Sequence, residues 1–238
     1  MAQFDVTPQS AFATAAAATP ERVTAFLRKV YGWMAVGLGV TAVVSLGVAS
    51  SPTLLQAIFG NKFLFFGLVI AELGLVFYLS ARVNKLAPAV ASGLFVLYSA
   101  LNGATLAMIF IAFTGTSIAT TFLVTAGMFG ALALYGTTTK RSLAGVGQFA
   151  FMGLIGLILA SLVGFFVHSA ALQFVISVVG VIVFTGLTAW DAQKLKAMAV
   201  AVPEGQIGSY AVVGALALYL DFINLFLFLL RFMGNRRN

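Results

Sequence analysis

The 238 residues are 61% hydrophobic and 8% charged, with a mean hydropathy of +1.08. A soluble domain carries about 25% charged residues to face water, so this chain cannot cover itself and reads as an integral membrane protein. Its net charge of +7 is scattered singly and in pairs, which excludes a nucleic-acid-binding face, and the lack of cysteine excludes disulfides and thiolate metal sites.

The first 20 residues, MAQFDVTPQSAFATAAAATP, are Ala/Thr-rich and lack the basic start and Leu-rich core of a signal peptide. Residues 1–24 are therefore expected to form a short disordered cytosolic lead. Helix one is expected over Tyr31 to Ala49 and helix two over Phe63 to Ser80. Leu86 to Thr139 is 54 residues without Asp, Glu, Lys or Arg, and Ser142 to Trp190 is another 49. A crossing takes about 20 apolar residues, so each stretch holds two helices. Thr114-Gly115-Thr116-Ser117 divides the first pair and His168-Ser169 the second. Ile207 to Leu230 makes the seventh. The runs are continuously apolar rather than alternating, which points to helices and not strands. The fold class is all-α, a seven-helix transmembrane bundle over residues 25–233 with a basic tail at 234–238. Pro52, Pro88 and Pro203 fall in connections or at helix starts, so no broken transporter helix is expected. No segment is left for a nucleotide-binding motor, so any transport would be passive or coupled to an ion gradient.

Orientation follows from the basic residues. An inside N-terminus places nine of them (Arg22, Arg28, Lys29, Arg82, Lys85, Lys140, Arg141, Lys194 and Lys196) in cytosolic segments. Lys62, Arg231, Arg236 and Arg237 then lie outside. The tail arginines run against the rule, and a re-entrant last helix would remove the conflict; seven full crossings are the first expectation. Small residues let helices approach in lipid. The expected seams are Gly37, Thr41, Ser45 and Ala49 on helix one, and Gly156, Ala160 and Gly164 on helix five.

Three of the six acidic residues lie within the apolar spans: Glu72, Asp191 and Asp221. An ionisable group at mid-membrane costs ~2.5–3.5 kcal/mol or more, so it should face the bundle interior and a partner. Asp221 shares a helix face with Asn224, three residues on, and with Gly214, two turns back. Burial disfavours a charged carboxylate, which makes Asp221 a candidate proton switch. Asp191 is expected about three residues from the cytosolic boundary, with Lys194 placed to neutralise it. Glu72 and Arg82 are about 15 Å apart along one helix and cannot pair directly. An axial offset of about 10 Å leaves open whether Asp191 and Asp221 meet.

The run ALALYLDFINLFLFLLRF is a specific motif. With VYGWM, LYSALNGATLAMIF, TAGMFGALALYGTTTKRSL and VIVFTGLTAWDAQKLK, it resembles the Bax inhibitor-1 family, closest to its bacterial YccA-like branch, over nearly everything after about residue 25. The resemblance implies a bundle whose last helix is central. It also implies a pH-sensitive calcium leak channel in the bacterial inner membrane, with an aspartate pair here matched by Asp191 and Asp221. Glu72 and Arg82 match an acid and an arginine used in helix two, and with Asn224 they are expected to line or support the ion path, Glu72 lining it. Trp190 stands where the family commonly has Tyr, and Ala192 where Thr is common. Calcium enters this reading as a permeant ion, with protons as the signal and no cofactor.

Two rivals remain. A non-conducting regulator of a membrane-bound protease is implied by bacterial relatives and would use the N-terminal segment. An intramembrane aspartyl protease would need glycine before the second aspartate, but the chain reads Leu218-Tyr219-Leu220-Asp221, so no enzyme is expected. His168, the single histidine, is too isolated for a metal site.

Overall fold

The computed structural model describes residues 20–167 and 169–237, with the side chains of Phe165 and Glu204 left aside. The expected lead over residues 1–19 and the turn at His168 lie outside the described residues. Among the described residues, seven helices are long and apolar enough to cross a membrane. They are α1 (Pro20–Ala49), α2 (Lys62–Arg82), α3 (Pro88–Leu106), α4 (Gly115–Thr138), α5 (Ala144–Phe166), α6 (Ala170–Ala201) and α7 (Ile207–Met233). Short helices at Pro52–Phe59 and Met108–Ala112 follow α1 and α3.

The polar interruptions that divide the apolar runs are helix caps. Asn61 accepts from the amides of Phe63 and Leu64, Thr114 from Ser117, and Ser169 from Leu172, each satisfying a donor that a helix start leaves free. Pro88 opens α3 and Pro52 the short helix after α1, where the missing N–H costs nothing. Helix α1 begins at Pro20, so residues 20–24 are helical and do not belong to a disordered lead; proline's fixed φ suits a first turn, and Glu21 complements the dipole there. After Leu106 the chain tightens, with the Ala107 amide reaching Ala104 O at 3.4 Å, before the helix resumes at Met108.

Helix α7 is the axle of the bundle. It packs against α1, α3, α4 and α6. Of its most apolar stretch 67% is buried, against 11% for α2, which rests mainly on α3. α5 leans on α6 alone among the spans with substantial packing. Gly37, Thr41 and Ser45 are buried as expected, with Gly37 against Phe95 of α3. The α5 seam holds at Ala160 and Gly164 and is corrected at Gly156. Gly156 faces outward with nothing near it, and the contact runs through Gly147, Ala150, Gly153, Leu157 and Gly164 at mixed steps of three and four. A step of four alone drifts around a helix of 3.6 residues per turn, which carries Gly156 off the seam.

The tail is pinned rather than re-entrant. Thr114 N donates to Asn235 O at 3.1 Å, Arg237 N to Ala112 O at 3.0 Å, and Asn235 N to Ser117 Oγ at 2.9 Å. Helix α7 is unbroken over 27 residues, and its end meets the α3–α4 connection, at the face of the bundle opposite the start of α1.

Candidate functional site

Asp221 lies at the middle of α7 and is 5% exposed. Gly214, two turns earlier, admits Leu195 of α6 and Val30 of α1, so the helices close tightly below the carboxyl. Asp191 is half-buried on α6. That helix runs ten residues past Asp191, to Ala201, which corrects its expected place near a helix end. Counted from the α6–α7 connection, Asp191 is ten residues in and Asp221 fourteen, an axial difference of only about 6 Å.

The charges of Asp191 and Asp221 act on one another, and Lys194 acts on both. No hydrogen bond joins the two carboxyls, and Asp221 Oδ2 is buried without a hydrogen-bond partner among the described residues. The Lys194 ammonium sits 5.1 Å over the ring of Trp190 instead of closing on either acid as a direct ion pair. Gly147 makes room for that ring, because a methyl group there would collide with the indole. The larger Trp190 is thus matched by a glycine on α5. Gln193 fixes the same turn of α6, accepting from Leu143 N at 2.8 Å and donating to Arg141 O at 2.9 Å.

Two cavities flank Asp221 along one face of α7. The first, about 320 Å³, reaches Asp191 and Lys194 from the N-terminal end of the bundle, walled on α7 by Val213, Gly214, Ala217 and Leu220. The second, about 570 Å³, lies toward the other end and is walled by Asn224, Leu227, Phe228 and Arg231 with Gln173 of α6. Leu220 and Asn224 are one turn apart, so a single turn of α7 with its buried carboxyl separates them. Asn224 donates to Leu220 O of its own helix at 2.8 Å and takes its place in this wall.

Glu72 belongs to a different cluster. Its Oε1 accepts from Thr105 Oγ1 at 2.9 Å and its Oε2 from Asn102 Nδ2 at 3.2 Å, both on α3. Asn102 Oδ1 accepts from the Tyr219 hydroxyl at 2.9 Å, which also lies 2.6 Å from Thr41 Oγ1 on α1. One chain of polar contacts therefore crosses α2, α3, α7 and α1. Arg82 stands exposed at the end of α2 and is not joined to Glu72. The expected set thus divides: Asp191, Asp221 and Asn224 follow the α6–α7 seam, and Glu72 faces the opposite side of α7. The sequence reading passed over Asn102, Thr105 and Tyr219 and gave Thr41 a packing role alone. Asn102 carried a signal, since an amide inside 54 uncharged residues has the same need for a partner as an acid.

A family model for the inhibitor of apoptosis-promoting Bax1 matches residues 23–238. Inner membrane protein YbhL of Escherichia coli (strain K12) is 54% identical over 215 residues, covering 89% of this chain and 92% of that protein. An uncharacterized protein of Borreliella burgdorferi is 45% identical over 215 residues, covering 90% and 93%. One from Rickettsia prowazekii is 41% identical over 221 residues, covering 92% of each. With seven apolar helices, α7 at their centre, and a match across almost its whole length, the chain is a multi-pass integral membrane protein that belongs to the Bax inhibitor-1 family.

Proposed function

We propose that this protein is a pH-sensitive leak pathway for calcium, gated where Asp191 and Asp221 face each other across the α6–α7 seam. The observation that carries the reading is the buried, unpartnered oxygen of Asp221, set between two cavities on one face of α7, one of them lined by Asp191.

Charge balance gives the mechanism. Lys194 compensates one carboxylate, not two. With one proton on the pair, one negative charge faces one ammonium and the seam is neutral. Loss of that proton adds a second negative charge in a confined space. Two unit charges 4 Å apart at an effective dielectric of 20 interact by about 4 kcal/mol, so like charges brought that close would oppose the glycine and leucine contacts that close the seam. Separation at this turn would join the two cavities and line the opening with carboxylate oxygens, the ligands calcium prefers. Low pH closes the path and rising pH opens it. Asn224 and Gln173 would then line the far side, while Glu72 stays outside the path and holds α2 to α3.

We place the N-terminal end of the bundle in the cytosol, because nine basic residues gather there against four at the other end. A bacterial inner membrane is the proposed location, in keeping with the name of the E. coli relative. The test is calcium efflux from proteoliposomes holding the purified protein, measured from about pH 5 to pH 8. Efflux should rise with pH and lose that dependence in Asp221→Asn; an unchanged profile in the variant would sink the gate. Absence of efflux at every pH would replace the leak with the regulator of a membrane-bound protease.

A further inference from the structure

Among the described residues, the end of the bundle carrying the tail holds cations without acidic side chains. Arg231, Arg236, Arg237 and Lys62 lie there. Of the six acidic residues, Glu21, Glu72, Asp191, Glu204 and Asp221 are placed elsewhere, and Asp5 precedes the described residues. Asp221, the acid nearest in sequence, is ten residues from Arg231 and so about 15 Å below it along α7.

Two of these arginines share a cavity of about 520 Å³, between the start of α6 and the end of α7. Arg231 and Arg236 line it with Gln173, Ser169, Phe174 and Phe232. Gly164, Gln173 and Arg231 also wall the larger cavity that runs down to Asn224, so the two spaces adjoin. The Arg231 side chain and the Arg236 backbone are held in place. Arg231 lies 6.0 Å over the Phe228 ring, and Arg236 forms a backbone bridge with Phe113 on the pinned tail. Gly164 lets Gln173 approach, its amide nitrogen standing 3.2 Å from where a Cβ would be. Beside these donors, the rings of Phe174 and Phe232 meet at 5.7 Å, and both are more than half exposed.

We propose that this cavity binds the phosphate of an anionic phospholipid, with an acyl chain laid along Phe174 and Phe232. Two guanidinium groups on one cavity repel in the absence of an acid, and a phosphodiester satisfies both while accepting from the Gln173 amide. The aromatic pair continues the site into the hydrocarbon, which a free anion would not use. Depth agrees, since Arg231 is in the last turn of a membrane-spanning helix, where headgroups lie. The proposal stands whether or not the protein conducts calcium. If it does conduct, the bound phosphate also removes a positive field from the mouth of the path.

The test uses the full chain in detergent, titrated with phosphatidylglycerol or with phosphatidylcholine of the same acyl chains, and read by native mass spectrometry and by the melting temperature. Phosphatidylglycerol should bind at least about tenfold more tightly than phosphatidylcholine. Arg231→Gln with Arg236→Gln should bring that ratio close to one, while Lys62→Gln, at the same end but outside the cavity, should keep it. Because the double variant removes a residue from the bundle core's edge, Arg236→Gln alone is measured too and should cut the ratio by several-fold. Equal binding of the two lipids by the wild type, or full preference in the arginine variants, would overturn the site. Inorganic phosphate protecting as well as phosphatidylglycerol would overturn the lipid and leave only a free-anion site.

Discussion

Helix α7 carries two polar regions on opposite faces, and they differ in one respect. Tyr219 and Asp221 are two residues apart and so about 200° apart around the axis. On the Tyr219 side every polar atom of the chain from Thr41 to Glu72 has a partner: two bonds for the Glu72 carboxylate, two for the Asn102 side chain, two for the tyrosine hydroxyl. On the Asp221 side a carboxyl oxygen is buried without one, and cavities lie on both sides of it. A satisfied buried network fixes helices in one arrangement, whereas an unsatisfied acid retains something to gain from a proton, a cation or a rearrangement. The Tyr219 cluster is a fastening, and the Asp221 seam is where the bundle is able to change.

That contrast is open to attack by substitution. The largest effect is expected for Asp221→Asn in calcium efflux. A titrating gate can change its ionised fraction by up to about tenfold per pH unit, and the amide should abolish that slope while the folded protein survives. Asp191→Asn should do the same; a pH slope that persists in either variant would show that the seam is not the sensor. Next comes Gly147→Ala, which pushes a methyl into the Trp190 indole and so disturbs the turn bearing Asp191 and Lys194. Overpacking of this kind costs about 1–3 kcal/mol, measurable as a lower melting temperature, and it should shift the pH midpoint of efflux. A melting temperature equal to wild type would mean that the ring has room to move.

Tyr219→Phe tests the other face. It strips the hydroxyl shared by Thr41 and Asn102 and should destabilise by roughly 0.6–2 kcal/mol, the range for interhelical hydrogen bonds in membranes. Its pH profile of efflux should match the wild type; a shifted profile would break the division between fastening and gate. Smallest is Asn224→Ala. The asparagine amide bonds only to its own helix at Leu220, so stability should change by less than about 0.5 kcal/mol. A larger loss would place Asn224 in a network with Asp221.

Membership of the membrane class, the seven crossings and the caps that divide them were legible in the residues, because lipid forces each backbone to satisfy itself within its own helix. Asp221 announced itself for the same reason: an acid in a run such as ALYLDFINLF has no cheap environment in hydrocarbon. Partners were another matter. Glu72, Arg82 and Asn224 looked like members of one site, yet α7 sorts them onto different faces and Arg82 onto the surface. The α5 seam was misread at Gly156, though not at Ala160 or Gly164, because regular spacing does not say which side of a helix meets a neighbour. Even the axial offset of the two aspartates depended on where α6 ends, at Ala201 rather than near Lys194. Composition and periodicity thus decided what each helix must be, since that is a matter between a segment and the bilayer. Which faces meet, which polar atoms find partners and which are left without were decided by packing, because those contacts join residues far apart in the chain, such as Thr41 and Tyr219, 178 positions apart.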